Sequence, residues 1–187
     1  MGFKDELSSP GQNRTKRIIG MTALMGFIFS AGVHLSTFLD TRFAATIDSP
    51  VLVLHVAIFP LFFAMLFAQR AETKGLDGRE ILLNLGASVS RWAKIGFIFF
   101  FLYTPVNFFR SMSETGGASA HPSETGYVLT SHGRIIRHVT EEEGLENRAI
   151  QARMFSGHWM VFYLLPALFF LARREPEVNT SHAKLTG

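Results

Sequence analysis

Three histidines fall inside long apolar stretches of this sequence: His34, His55 and His158. An imidazole in hydrocarbon is expensive, so three of them call for a use. Imidazole nitrogen suits copper or zinc. Two histidines can also hold a b-type haem from opposite sides of its iron. Three cannot hold two haems by pairs, which argues against a two-haem electron wire. Because histidine titrates near neutral pH, proton handling or a quinone pocket is a further use. The plain alternative is that the rings are hydrogen-bonding groups between helices, with no ligand at all. Other residues stand near enough to support such a site. Tyr103 and Asn107 lie in a third apolar stretch, and Met154 is one helical turn before His158. His132 and Arg137 belong to the polar segment that leads toward His158.

Other chemistries are excluded or find no support. The chain has no cysteine, which removes disulfides, thiolate zinc sites, iron–sulfur clusters and c-type haem attachment. Gly-x-Ser-x-Gly, His-Glu-x-x-His and phosphate-binding glycine loops are all missing. The run Glu141-Glu142-Glu143 is explained by a helix start, where carboxylates complement the dipole. A net charge of +3 with no basic-aromatic stripe gives no reason to expect nucleic acid as a partner.

The elements that must position the histidines are four apolar blocks, about 18–39, 50–68, 92–109 and 154–172. Each approaches the roughly 20 residues with which a helix crosses ~30 Å of hydrocarbon. The 48% hydrophobic content and nineteen phenylalanines are gathered into these blocks, the pattern of a chain whose solvent is lipid. Pro60, Pro105 and Pro166 do not break the reading, because membrane helices tolerate proline. The first block is long for a secretory signal and lacks a convincing cleavage site, so it reads as an uncleaved span. In it Thr22, Gly26, Ser30 and His34 recur every fourth residue, a small and polar stripe that turns His34 inward. His34 near the end of one span, His55 near the start of the next and His158 near the start of the last all fall roughly 6–8 Å below one membrane boundary.

Lysine and arginine set the direction. Lys4, Arg14, Lys16 and Arg17 precede the first span, Arg70, Lys74, Arg79 and Arg91 flank the second loop, and Arg173, Arg174 and Lys184 follow the fourth span. The first loop holds only Arg42 against Asp40 and Asp48. Both termini are therefore expected in the cytoplasm, and residues 110–153 on the far side. That long segment carries five arginines and six glutamates, and long loops weigh less in the rule.

Residues 1–17 and 173–187 read as cytoplasmic tails around one membrane domain, 18–172. Ile81, Leu82, Leu85 and Val89 share a helical face, which predicts a short interfacial helix. On the far side, Ser111–Gly126 reads as loop. Tyr127–Thr130 and Ile135–Val139 bracket a glycine-containing turn and read as a β-hairpin. Thr140 and Glu143 form a capping box that opens a helix leading into the fourth span. Tyr127, Leu129, Ile135 and Ile136 are expected to dock the hairpin over the helix ends, bringing His132 and Arg137 over His158.

Tyr127, Leu129, His132-Gly133, Ile135, Arg137, Thr140 and Glu143, followed by Ser156-Gly157-His158-Trp159-Met160 and Phe162-Tyr163, resemble a pattern of uncharacterised bacterial four-span membrane proteins. The likeness covers 127–163 and carries no activity with it. It implies that the hairpin and the start of the fourth span form one unit, and that the location is a bacterial cytoplasmic membrane. The expectation is an all-α membrane protein: a four-helix bundle with a hairpin-plus-amphipathic-helix cap, lipid around it, and other membrane subunits as possible partners. Its candidate site is a layer of three histidines that could take haem b or a copper or zinc ion. The alternative is a non-enzymatic assembly factor or complex subunit.

Overall fold

The four apolar blocks become four long helices in the computed structural model of the chain, which describes residues 10–40, 42–43, 48–72 and 89–171. They are α1 (Pro10–Leu39), α2 (Asp48–Glu72), α3 (Arg91–Thr115) and α4 (Glu141–Leu171). All four are long and apolar enough to cross a membrane. Pro60, Pro105 and Pro166 lie inside α2, α3 and α4 as expected. The ends differ from the sequence expectation. α1 starts at Pro10, inside the stretch read as a tail, and proline suits a first helical turn. α3 runs past Phe109 to Thr115, where Gly116 closes it in the left-handed conformation. The expected interfacial helix falls almost wholly on 81–88, outside the described residues.

α4 is the hub. It packs against each of the other three helices and against the sheet described below. Its most apolar window is 44% buried, against 11% for α2 and 6% for α3, so the latter two leave most of their length exposed. Close packing of α1 on α4 depends on small residues. The α1 face toward α4 carries Gly20, Ala23, Gly26, Ser30, His34 and Thr37, all buried. A methyl group on Gly26 would run into the Tyr163 ring, and one on Gly20 into Leu171. This is how helices without a hydrophobic driving force between them gain contact. Thr22, the first residue of the expected stripe, is exposed instead.

Between α3 and α4 the chain forms a three-stranded antiparallel sheet in the order β1 (Ser119–Ser123), β2 (Gly126–Ser131), β3 (Arg134–Val139). The hairpin expected over 127–139 is β2–β3. Its two-residue turn is His132-Gly133, both at positive φ (49° and 77°), the geometry that matches strand twist. β1 lies where a loop was expected, and the segment before it still contains the turn at Gly116-Gly117. The sheet docks on α4 mainly through β1 and β2, and β3 adds the Arg137–Glu143 pair. Ala118, Ala120 and Leu129 form the small core between them, flanked by Tyr127 and Val139. Tyr127 lies where a side chain on Gly144 would clash with it. Asn147 holds the first strand in place: its amide nitrogen donates to the Ala118 carbonyl (3.2 Å) and its oxygen accepts from Ala120 N–H (3.0 Å). Ile135 and Ile136 are 65% and 56% exposed and take no part in docking, because β3 is the outer edge.

The expected capping box is half made. Thr140 Oγ1 accepts from Glu143 N–H at 3.2 Å. The Glu143 side chain does not reach back; it makes a bidentate pair with Arg137 instead. From there α4 runs uninterrupted from the cap through Ser156-Gly157 to Leu171.

Candidate functional site

His34 sits on the buried face of α1, only 5% exposed, with both ring nitrogens engaged. Nδ1 is 3.0 Å from Ser156 Oγ on α4, and Nε2 is 2.6 Å from the Tyr103 hydroxyl on α3. Ser156 Oγ also lies 3.2 Å from the Arg153 carbonyl. One proton arrangement satisfies all three contacts: Nδ1–H donates to Ser156, Ser156 donates to the Arg153 carbonyl, and Tyr103 donates to Nε2. A neutral imidazole, with one donor and one acceptor, is then fully used.

The network extends to neighbouring residues of α3 and α4. Asn107 Nδ2 donates to the Arg153 carbonyl at 3.0 Å, and Thr104 Oγ1 lies 3.1 Å from the Gly157 carbonyl. Arg153 reaches back to α1, where its Nε and one terminal nitrogen donate to Thr37 Oγ1 (3.1 Å) and the Thr37 carbonyl (3.0 Å). Its guanidinium carbon stands 4.1 Å from the centre of the Phe38 ring. Thr37 lies in the last turn of α1, where a guanidinium suits the helix-end carbonyls. Thus α1, α3 and α4 are tied by one continuous polar cluster.

His55 belongs to a separate contact. Its Nδ1 accepts from the Trp159 indole N–H at 2.9 Å, with Phe59, Phe155 and Trp159 around the ring. Tyr163 adds a second tie from α4 to α2 by donating to the Leu54 carbonyl at 2.6 Å. His158 is exposed on α4 and stacks on Phe162, with ring centres 4.8 Å apart. The structure therefore brings Tyr103 and Asn107 to His34, and leaves His55 and His158 outside that network. Met154 is half-buried, and the ring partner of His158 is Phe162. His132 is exposed at the hairpin tip. Arg137 faces Glu143, whose carboxylate raises the guanidinium pKa above its ordinary value. Among the described residues, no three His, Asp or Glu side chains form a group able to hold a metal ion.

Arg153 is the residue that sequence reading undervalued, since a charge flanking a span reads as an interfacial charge. Its signal was its position: it precedes Ser156 by three residues and so shares a helix face with the α1-facing side of α4.

Compared with known proteins, the chain matches no family model, no curated protein and no solved structure.

Proposed function

We propose that the chain is a multi-pass membrane protein, with both termini on the cytoplasmic side and the sheet on the other. We read it as a non-enzymatic component, a subunit or assembly factor of a larger membrane complex, whose span histidines tie helices together. The observation that carries the second part is the state of His34. A ring whose two nitrogens already face Ser156 and Tyr103 offers no lone pair to iron, copper or zinc without breaking the cluster. The first part is supported by the four apolar helices and by the lysine and arginine pattern. α2 and α3 also present long exposed apolar faces, Phe59, Phe63 and Phe67 on one and Phe99, Leu102, Val106 and Phe109 on the other. Such faces are covered by lipid or by neighbouring helices.

A second reading, metal or haem binding, survives only for His55 and His158. Trp159, whose indole bonds His55, adjoins His158 in sequence, and both rings keep nitrogens that no described residue engages. Two imidazoles from neighbouring helices suit a copper ion or a haem iron. Absorption spectra and metal analysis of the purified protein separate the readings. The first expects no Soret band and substoichiometric metal, together with co-purifying membrane subunits. A Soret band lost in both His55→Leu and His158→Leu, but kept in His34→Gln, establishes the second.

A further inference from the structure

α3 is the least buried of the four helices, and its exposed residues follow one line. Ile95, Ile98, Leu102, Val106 and Phe109 are between 47% and 69% exposed. At about 100° of rotation per residue they fall within a sector of roughly 80°. Arg91 opens that line at the start of the helix, with Lys94 on one flank and Trp92 on the other. Trp92 is 81% exposed, and tryptophan concentrates where hydrocarbon meets headgroups. Arg91 and Lys94 are both exposed, with no partner among the described residues. α3 itself contains no carboxylate before Glu114, near its other end.

The other helices add to this charge. Thr104 meets Gly157, and from that contact α3 runs back to Arg91, and α4 on to Leu171, by about 20 Å each. Arg91 is therefore level with the end of α4. Gly20 lies against Leu171, and Phe62 against Phe162, so Arg17 on α1 and Arg70 on α2 stand at the same end. Glu72 closes α2 there. Cations above an exposed apolar line are matched by one molecule with an anionic head and long apolar chains. Guanidinium and ammonium both bind phosphate, the first in bidentate fashion. A choline or ethanolamine headgroup would bring a cation of its own to a helix start that offers it no carboxylate.

We infer that the start of α3 is a binding site for an anionic phospholipid, of the phosphatidylglycerol type, with its phosphate held by Arg91 and Lys94 and its chains lying along the line from Ile95 to Phe109. The inference rests on the reading that the chain spans a membrane, and not on its proposed role in a complex. A neighbouring protein helix could cover the same apolar line, but it would leave Arg91 and Lys94 unneutralised unless it also brought carboxylates to that level.

Trp92 reports on this site, because the other tryptophan, Trp159, is 1% exposed. Full-length protein is reconstituted in vesicles of phosphatidylcholine and phosphatidylglycerol, one lipid at a time carrying chains brominated close to the headgroup. Fluorescence quenched in the unaltered protein but not in Trp92→Phe measures which lipid sits beside Trp92. The expected result is a preference for phosphatidylglycerol of about fivefold, the effect of roughly one basic residue at an anionic surface. It should fall to near parity in the double variant Arg91→Gln, Lys94→Gln. Both side chains are exposed, so that variant keeps the helix packing. Equal quenching by the two lipids, or a preference that the double variant keeps, overturns the assignment and leaves the membrane reading in place. Quenching by neither lipid also overturns it. Flotation of the protein with the vesicles then means that protein covers Trp92, and failure to float means that the membrane reading itself is wrong.

Discussion

The three span histidines have three different surroundings, and each predicts a different cost of removal. His34→Leu leaves the half-buried Tyr103 hydroxyl without its partner and takes a donor from the buried Ser156. Leaving a buried polar group unsatisfied costs about 1–3 kcal/mol. Thermal or denaturant unfolding in detergent should show that loss, and His34→Leu combined with Tyr103→Phe should cost less than the sum of the two single changes. His158→Leu removes an exposed ring stacked on Phe162 and should change stability by no more than about 0.5 kcal/mol. Equal destabilisation by both substitutions would mean that His158 shares the buried cluster after all. The inward turn of His34 was legible from the spacing of Gly26 and Ser30. The outward turn of His158 was not, because depth within a span does not fix rotation about the helix axis. Ser156 and Gly157 face α1 and α3, and His158 is rotated about 200° from Ser156 around the helix axis.

At the scale of elements, the helices and the β2–β3 hairpin could be read from block length and from β-branched runs around a glycine turn. β1 could not. Ser119-Ala120-His121-Pro122-Ser123 has no β-branched residue and contains a proline, which ordinarily argues against a strand. It forms because tertiary partners supply what propensity does not: the ladder to β2 on one side and the Asn147 side chain from α4. Asn147→Ala should therefore release β1. Hydrogen exchange of the amides from Ala118 to Ser123 should accelerate by tenfold or more, as about 1.4 kcal/mol of lost anchoring implies, while α4 below Ser156 stays protected. Unchanged exchange at Ala120 would show that the ladder to β2 is sufficient. Gly144→Val tests the same docking from the other side, since any side chain there meets the Tyr127 ring. The expected result is a sheet open to limited proteolysis between 116 and 139 with the helices intact, and a protease-resistant sheet would contradict the contact.

For the whole molecule, the architecture is an apolar scaffold organised around α4, which starts in the cap and ends at the opposite end of the helices. One helix thus carries the sheet's anchor, the polar cluster with α1 and α3, and the ties to α2. The proposed four-span arrangement puts the sheet on the outer side of a bilayer. The chain contains no cysteine, so single cysteines report position cleanly. Thr125→Cys places one at the exposed turn between β1 and β2, and Lys74→Cys places another between the second and third apolar blocks. In intact cells or sealed, oriented vesicles, a membrane-impermeant maleimide should label Thr125→Cys from the outer side only. Lys74→Cys should label only after the membrane is opened. Labelling of both positions from the same side would contradict the four-span arrangement and the outer cap together.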